Sequence, residues 1–468
     1  MLKYKHMQSG VQKSLFDLNP ADASSGVWNE LSNSSVKYEQ SIDPLLRKRT
    51  GSYYTSMSLT DIMMSDLLDS MGDSYKRSIY KKRFLEPCVG TGNFVFAYLK
   101  HCADLGFNRD ESMELINNIY ACDINDEAIS LYKKNLKRYV KHLFNINLDD
   151  SYFSTHIGGG LLFDVGSEKI DYIPIDSIFP KEVIQGGFDI IVTNPPYKNL
   201  KAERSQYLSN MDYDVDREKY FKIGSIAKHR FLLSTTGTLN LYRLFVEEIL
   251  TKYSSNDCFC SLLIPSSILS DKSCSDLRTY MINKTSLKNI RLYPETSAYV
   301  DASQSVCSIL LKKGQPTKEL FVFGSNSDYS RPGAKVSISD IADKDTGNAI
   351  LILNDREYSI RSQMSKHPKI RELPYIHNLR GELDISLNKN SIVEEETDFV
   401  LLRGRNIAYY ELANMDSLEH VSPVFYEQTA KRTFIEKPRL ICQQIVNMAK
   451  TRRVAFAPVS KNVVLANR

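Results

Sequence analysis

The tetrapeptide Asn194-Pro195-Pro196-Tyr197 stands directly after the apolar run Phe188-Asp189-Ile190-Ile191-Val192-Thr193. Each proline ring fixes its own φ, and the residue ahead of each is pushed out of the α region. Carbonyl groups without helix or ladder partners, a carboxamide and an aromatic ring are thereby held stiffly at the carboxyl end of a strand. In open α/β sheets, ligands bind at that end. Two acceptors and one ring suit a planar ring that carries an exocyclic amino group. The plainer alternative is a proline-terminated strand with a solvent-facing tyrosine.

Two other segments carry chemistry at strand ends. Glu86-Pro87-Cys88-Val89-Gly90-Thr91-Gly92-Asn93-Phe94 follows a strand over 83–86 and opens a helix to about Leu99. Its glycines let the backbone turn sharply and approach a ligand, and the helix start behind them offers free N–H groups. The third glycine of the dinucleotide fingerprint is missing, and an acid ahead of the turn suits a cationic group better than a pyrophosphate. Alone, the segment is equally a plain tight turn. Cys122-Asp123-Ile124-Asn125 ends the next strand. A carboxylate there is placed to hold ribose hydroxyls, with Asn125 as the helix cap. Upstream, Arg47-Lys48-Arg49-Thr50-Gly51-Ser52-Tyr53-Tyr54-Thr55 brings aromatic and hydroxyl groups ahead of a helical stretch, Leu59 to Leu68.

The elements that position these groups alternate between strand and helix patterns from about 46 to 320, the mark of a parallel sheet with crossover helices. Strands are expected at 83–86, 119–123, 188–193, 258–264, 289–293 and 306–311, and amphipathic helices at 126–140 and 239–253. Residues 1–45 are polar and Ser-rich, an arm that is part helical at most. Lys312-Lys313-Gly314-Gln315-Pro316 punctuates the chain. A less regular second domain, mixed α+β, is placed at 321–468.

Composition bounds the rest. A chain of 468 residues, 42% apolar and 25% charged, has the make-up of an ordinary globular protein of about two domains. No run approaches a bilayer span, the start lacks the apolar core of a secretory signal, and the eight cysteines form no paired C-x-x-C. A reducing cytoplasm, with no membrane and no metal, is the expectation. The net charge of +4 is too small to argue for nucleic acid by itself.

Taken in order, Gly-Ser-Tyr-Tyr-Thr, Glu-Pro-Cys-Val-Gly-Thr-Gly-Asn-Phe, Ala-Cys-Asp-Ile-Asn and Asn-Pro-Pro-Tyr resemble the motif series of the gamma-class adenine-specific DNA methyltransferases of type II restriction-modification systems. Asn240-Leu241-Tyr242, Leu262-Leu263-Ile264-Pro265 and Ser305 to Leu311 look like that family's later motifs. The resemblance covers about residues 46–315, with a weaker match in Leu401-Leu402-Arg403-Gly404-Arg405-Asn406-Ile407. It implies a Rossmann-like methyltransferase sheet with helices on both faces, S-adenosylmethionine as cofactor, and a C-terminal target-recognition domain. Tyr54 and Thr55 would flank the cofactor's methionine part, with Glu86, Pro87, Gly90 and Gly92 at its amino-acid end. Asp123 would take the ribose hydroxyls and Ile124 would lie on the adenine. The family's acid near the third strand is missing from Gly158-Gly159-Gly160-Leu161-Leu162-Phe163-Asp164; either Asp164 or a backbone carbonyl takes its place. Asn194 and Pro195 would accept the amino hydrogens of a flipped adenine, Pro196 would stiffen the corner, Tyr197 would stack on the base, and Tyr299 is a candidate for its other face.

Between 431 and 468 there are nine Lys or Arg against one acid, Glu436. Lys431, Arg432, Arg452 and Arg453 are therefore candidates for phosphate contacts. Arg403 and Arg405 could reach guanine edges; Gln443, Gln444 and Asn447 could read adenine. The partners expected are double-stranded DNA and a separate cognate restriction endonuclease. Competing readings are methyl transfer to RNA, to a protein glutamine or to cytosine N4, and a non-catalytic DNA-specificity protein. The run Val463 to Arg468 is apolar, which leads to the expectation of a shortened recognition domain with weakened DNA binding.

Overall fold

The computed structural model describes residues 26–42, 55–165, 170–204, 207, 209–293, 305–323, 334–377, 379–416, 418–443 and 454–467. The chain divides into two compact units, Met1–Ser359 and Ile360–Arg468.

The first unit is built on one sheet. Its strands are β1 (Phe84–Glu86), β2 (Ile119–Cys122) and β3 (Ile157–Gly158), then β6 (Phe188–Thr193), β7 (Ser254–Pro265), β8 (Thr285–Tyr293), β9 (Val306–Lys313), β10 (Glu319–Phe323) and β11 (Ala334–Ser337). A hairpin of β4 (Leu162–Phe163) and β5 (Tyr172–Ile173) stands apart from it, as does a later one of β12 (Ala342–Asp343) and β13 (Ala349–Ile350). The sheet order is β11-β10-β8-β9-β7-β6-β1-β2-β3. β1, β2, β3, β6 and β7 run parallel, while β9 inserts antiparallel between β7 and β8. The α/β class read from the sequence is the class observed.

Burial explains the strand sequences. β6 has five of its six residues buried and reads as a nearly unbroken apolar run, as a strand covered on two faces must. The helix Asp126–Phe144 is amphipathic instead: Ala128, Ile129, Tyr132, Leu136, Tyr139 and Val140 turn inward. Asn125 caps its start by accepting from the Glu127 and Ala128 amides, and Asn145 closes its end in the left-handed region. Met57–Asp69 packs on Asn93–Ala103, and Ser275–Lys284 packs on β8.

The N-terminal segment holds a helix, Gly26–Ser41, that buries Trp28, Leu31 and Ser35. Trp28 lies 6.2 Å from Tyr139 between ring centroids, and the Lys100 ammonium stands 4.8 Å from the Trp28 centroid. This part of the arm is thus an element of the first unit. The division expected at 320/321 runs through β10, which pairs parallel with β8 and buries Leu320 and Val322. The break between units comes later because the alternation of buried and exposed residues persists past the glycine-proline punctuation.

In the second unit, β14 (Leu383–Asp384), β15 (Ile392–Val393), β16 (Val400–Leu402), β17 (Glu419–Val421) and β20 (Val463–Asn467) form a sheet in the order β14-β20-β16-β17-β15. β18 (Arg439–Cys442) and β19 (Phe456–Val459) form a hairpin, and short helices cover 423–428 and 432–435. The apolar run at 463–467 is therefore an interior strand, flanked by β14 and β16.

Candidate active site

The strand order reverses at β1: β2 and β3 lie on one side of it, β6 and β7 on the other. Such a reversal opens a crevice at the carboxyl edge. Glu86 faces Ala121 of β2, and Leu85 faces Ile191 of β6. Asp123 and Asn194 therefore follow the ends of two strands that flank β1, roughly 10 Å apart by strand spacing. The sequence motifs meet at one edge because the topology brings them there.

The glycine turn is built tightly. The Val89 amide donates to the Cys122 carbonyl (2.8 Å) and the Gly92 amide to the Val89 carbonyl (2.9 Å). Gly92 has φ +100°, and a Cβ there would run into the Tyr132 ring. A side chain is excluded twice, by conformation and by space. The Gly90 amide donates to Asp123 Oδ2 at 2.7 Å, and the Asn125 amide to Oδ1 at 2.9 Å. Asp123 thus braces the turn and is itself only partly exposed; burial raises its carboxyl, with those amides opposing.

Glu86 is 1% exposed. Burial pushes its carboxyl well above the usual range, and nearby Asp123 adds to this; the Thr193 hydroxyl and the Cys88 amide lie close enough to pull the other way. Neither carboxyl oxygen nevertheless makes a hydrogen bond of full geometry. A buried acid with unsatisfied oxygens at a strand end calls for a partner, and a cation is one that would satisfy it. The α-ammonium of S-adenosylmethionine fits that requirement. Ile124 stands 44% exposed beside Asp123, and Gly160 lies so close against it that a Cβ would come within 3.0 Å of Ile124. Gly158 is likewise hemmed in, by Ile178, whereas Gly159 faces open space. Packing therefore accounts for two of the three glycines. Asp164 follows β4 on the separate hairpin and is half-buried.

At the diproline corner, Asn194 is part-exposed and its Nδ2 donates to Thr55 Oγ1 at 2.9 Å. Tyr197 is less available than a stacking ring was expected to be. It is 7% exposed, its hydroxyl donates to the Leu263 carbonyl at 2.9 Å, and Tyr242 meets it edge-on at 6.3 Å. The segment beyond it is sewn down: the Leu241 amide donates to Lys198 O, the Leu200 amide to Leu239 O, and Asn240 Nδ2 to Asn199 Oδ1. The Asn240-Leu241-Tyr242 motif is thus a brace for the corner, with Asn240 also capping a helix. Buried Arg243 and Glu247 hold the loop ahead of it, through the carbonyls of Thr236 and Thr238 and the amides of Leu232 and Leu233. Sequence reading missed both, since a lone charge in a helix pattern looks like a solvated face.

Tyr54, Tyr299, Gln444, Arg452 and Arg453, with Asn447, lie outside the described residues. In the second unit, Arg403 makes a two-pronged contact with Glu419, which lowers that carboxyl. Gln443 Nε2 donates to the carbonyls of Gly404 (2.7 Å) and Ile407 (2.8 Å), shaping the turn rather than facing outward. Lys431 Nζ donates to Gly381 O at 2.8 Å, and Arg432 pairs with Glu436 at 2.9 Å. Arg405 is exposed on the turn that Gln443 supports. Among the described residues, no group of His, Cys, Asp and Glu could hold a metal ion, and no helix is long and apolar enough to cross a membrane.

Comparison with known proteins adds to this geometry. A type II methyltransferase, M.BanIII of Aneurinibacillus aneurinilyticus, is 27% identical over 219 residues, which cover 42% of this chain and 34% of the relative. The match thus spans about a third of that relative's length. Among solved structures, a modification subunit described for a type I restriction enzyme of Vibrio vulnificus YJ016 has TM-score 0.41 at 15% identity, covering 72% of this chain and 67% of its own. A protein described as a class I S-adenosylmethionine-dependent methyltransferase from Listeria monocytogenes has TM-score 0.38 at 13% identity, covering 66% and 74%. Residues 117–298, which carry Asp123 and the diproline corner, match the family described as Eco57I restriction-modification methylase.

Proposed function

We propose that this chain transfers a methyl group from S-adenosylmethionine to the N6 amino group of an adenine flipped out of duplex DNA, as the modification component of a restriction-modification system. The reading rests on one observation above the others: the Asn194 carboxamide, held by Thr55, stands at the same sheet edge as the glycine turn and Asp123. The match of residues 117–298 supports the restriction-modification setting.

Each residue has a task. When bound, S-adenosylmethionine supplies a sulfonium methyl. Glu86 would hold its ammonium, Asp123 its ribose hydroxyls and Ile124 its adenine face. The exocyclic amine of adenine is a poor nucleophile because its lone pair is delocalised into the ring. Asn194 Oδ1 and the Pro195 carbonyl would accept its two hydrogens, localising the lone pair and aiming it, which is catalysis by positioning and electrostatics. No strong base is required, since the nitrogen sheds a proton to water as positive charge develops. Tyr197, nearly buried and pinned by Leu263, would offer the base only a narrow, fixed edge, and Tyr299 remains a candidate for the opposite side. The second unit would grip duplex DNA, with Arg405 as its most outward candidate, and cleavage would fall to a separate endonuclease in the same cytoplasm.

The test is direct. Unmodified genomic DNA is incubated with the protein and isotopically labelled cofactor, then digested to nucleosides for mass spectrometry. Labelled N6-methyladenosine in the deoxy series is expected. Label in N4-methylcytosine, in added RNA or in protein alone would refute the adenine assignment, and no label in any acceptor would refute methyl transfer.

A further inference from the structure

We infer that Ser35 and Thr55 are positioning residues: a buried hydrogen-bond relay from the Gly26–Ser41 helix to Asn194 sets the placement of its carboxamide. The inference rests on the function proposed above and extends it to residues outside the motif that defines the corner.

The relay is continuous. Thr91 Oγ1 donates to Ser35 Oγ at 2.9 Å, and Ser35 Oγ donates to Asn93 Oδ1 at 2.7 Å. Asn93 Nδ2 donates to the Thr55 carbonyl at 2.8 Å, and Asn194 Nδ2 donates to Thr55 Oγ1 at 2.9 Å. Ser35, Thr55, Thr91 and Asn93 are each less than a tenth exposed. Four separate segments are tied together: the N-terminal helix, the stretch ahead of Met57–Asp69, the glycine turn and the end of β6.

Chemistry gives the relay a direction. Asn93 is held at both ends of its amide, so its orientation is set by Ser35 on one side and the Thr55 backbone on the other. Thr55 then presents its hydroxyl to Asn194 nitrogen. Held by its nitrogen, the Asn194 carboxamide also has its oxygen fixed in place, shielded from solvent, and that oxygen is the group the amine would need. Thr91 and Asn93 also flank Gly92, so one network reports on the cofactor turn and on the acceptor for the base. Buried networks of this kind are costly when half satisfied and specific when complete. Four hydroxyl and amide side chains buried together, rather than apolar ones, are explained by a need for direction.

The experiment uses the full chain. Thr55→Val, Thr55→Ser and Ser35→Ala are compared with wild type for cofactor affinity by calorimetry and for kcat and KM on unmodified genomic DNA. Thr55→Val is expected to lower kcat, measured at saturating cofactor, by about tenfold or more, as misplacement of a reacting group does. Thr55→Ser should restore most of the rate, and Ser35→Ala should show a smaller loss of the same kind; if it fails to fold, Ser35→Cys takes its place. Unchanged kcat in Thr55→Val, or a loss confined to cofactor affinity, overturns the inference. A second readout needs no turnover. In protein labelled with 15N-asparagine, the Asn194 side-chain amide, identified by its disappearance in Asn194→Asp, should exchange slowly and lose protection in Thr55→Val. Protection unaltered by Thr55→Val also overturns it. Protected amide protons in a wild type that methylates nothing would sink the proposed function and leave the relay standing.

Discussion

The two units use polar side chains in opposite ways. At the edge of the large sheet, Glu86, Thr91 and Asn93 are buried and Asp123 is partly buried, and Glu86 keeps unsatisfied oxygens there. In the second unit, Arg403, Lys431 and Arg432 lie near the surface and are engaged by Glu419, Gly381 and Glu436. Buried groups with fixed directions suit one small partner of defined chemistry. Surface pairs in water can be exchanged at little cost, since an exposed ion pair is worth about 0–1 kcal/mol. On the function proposed above, such a face would engage a long polyanion by releasing side chains from internal partners.

The sharpest way to break this contrast is Asn194→Ala. Transfer is expected to fall on the order of a thousandfold, comparable to loss of one preorganised donor or acceptor at a reacting centre, with cofactor affinity retained. Unchanged turnover would remove the corner from the chemistry. Gly92→Ala comes next: a left-handed residue that abuts Tyr132 should cost about 2–4 kcal/mol in denaturant unfolding. Full stability in that variant would mean the turn is looser than its packing.

Glu86→Gln should weaken cofactor binding by roughly 30-fold, the scale of a buried charge pair losing one partner. The sign of the pH effect follows from the raised carboxyl. A cation binds the ionised acid, so binding releases a proton and affinity rises with pH up through the raised value. For folding the sign is reversed: protonated Glu86 is the form favoured by burial, so its contribution is most favourable at low pH and declines as pH rises through that value. Calorimetry in buffers of different ionisation enthalpy checks the released proton, and its absence would separate Glu86 from the cofactor. The smallest effect belongs to the second unit. A double-mutant cycle on Arg403 and Glu419 should give a coupling below about 1 kcal/mol, and Arg405→Ala should lower the salt slope of duplex binding by about one. A large coupling at Arg403 would make the pair structural and blur the contrast.

Strand ends were legible in the sequence where hydrophobic period and proline agree. β6 falls where its apolar run places it, and Asn125 caps the helix that Asp126 begins. The diproline corner and the glycine turn could be read because backbone constraint is local. What could not be read was set by tertiary partners. Nothing in a Ser-rich arm announces that Ser35 will be buried against Asn93. Tyr197 looks like a free ring until Leu263 claims its hydroxyl. Gln443 resembles a base reader in a basic tail, yet its amide is spent on the carbonyls of a turn.

β20 lies between β14 and β16 and runs parallel to both, although each of those strands is made long before it. During synthesis, neither neighbour can find its ladder partner on that side until the 463–467 stretch has left the ribosome. The smaller sheet therefore closes late and through distant pairings, which fold slowly. A pause or loss in translation near that stretch would leave two open strand edges on a nascent chain, and such edges are where misassembly begins.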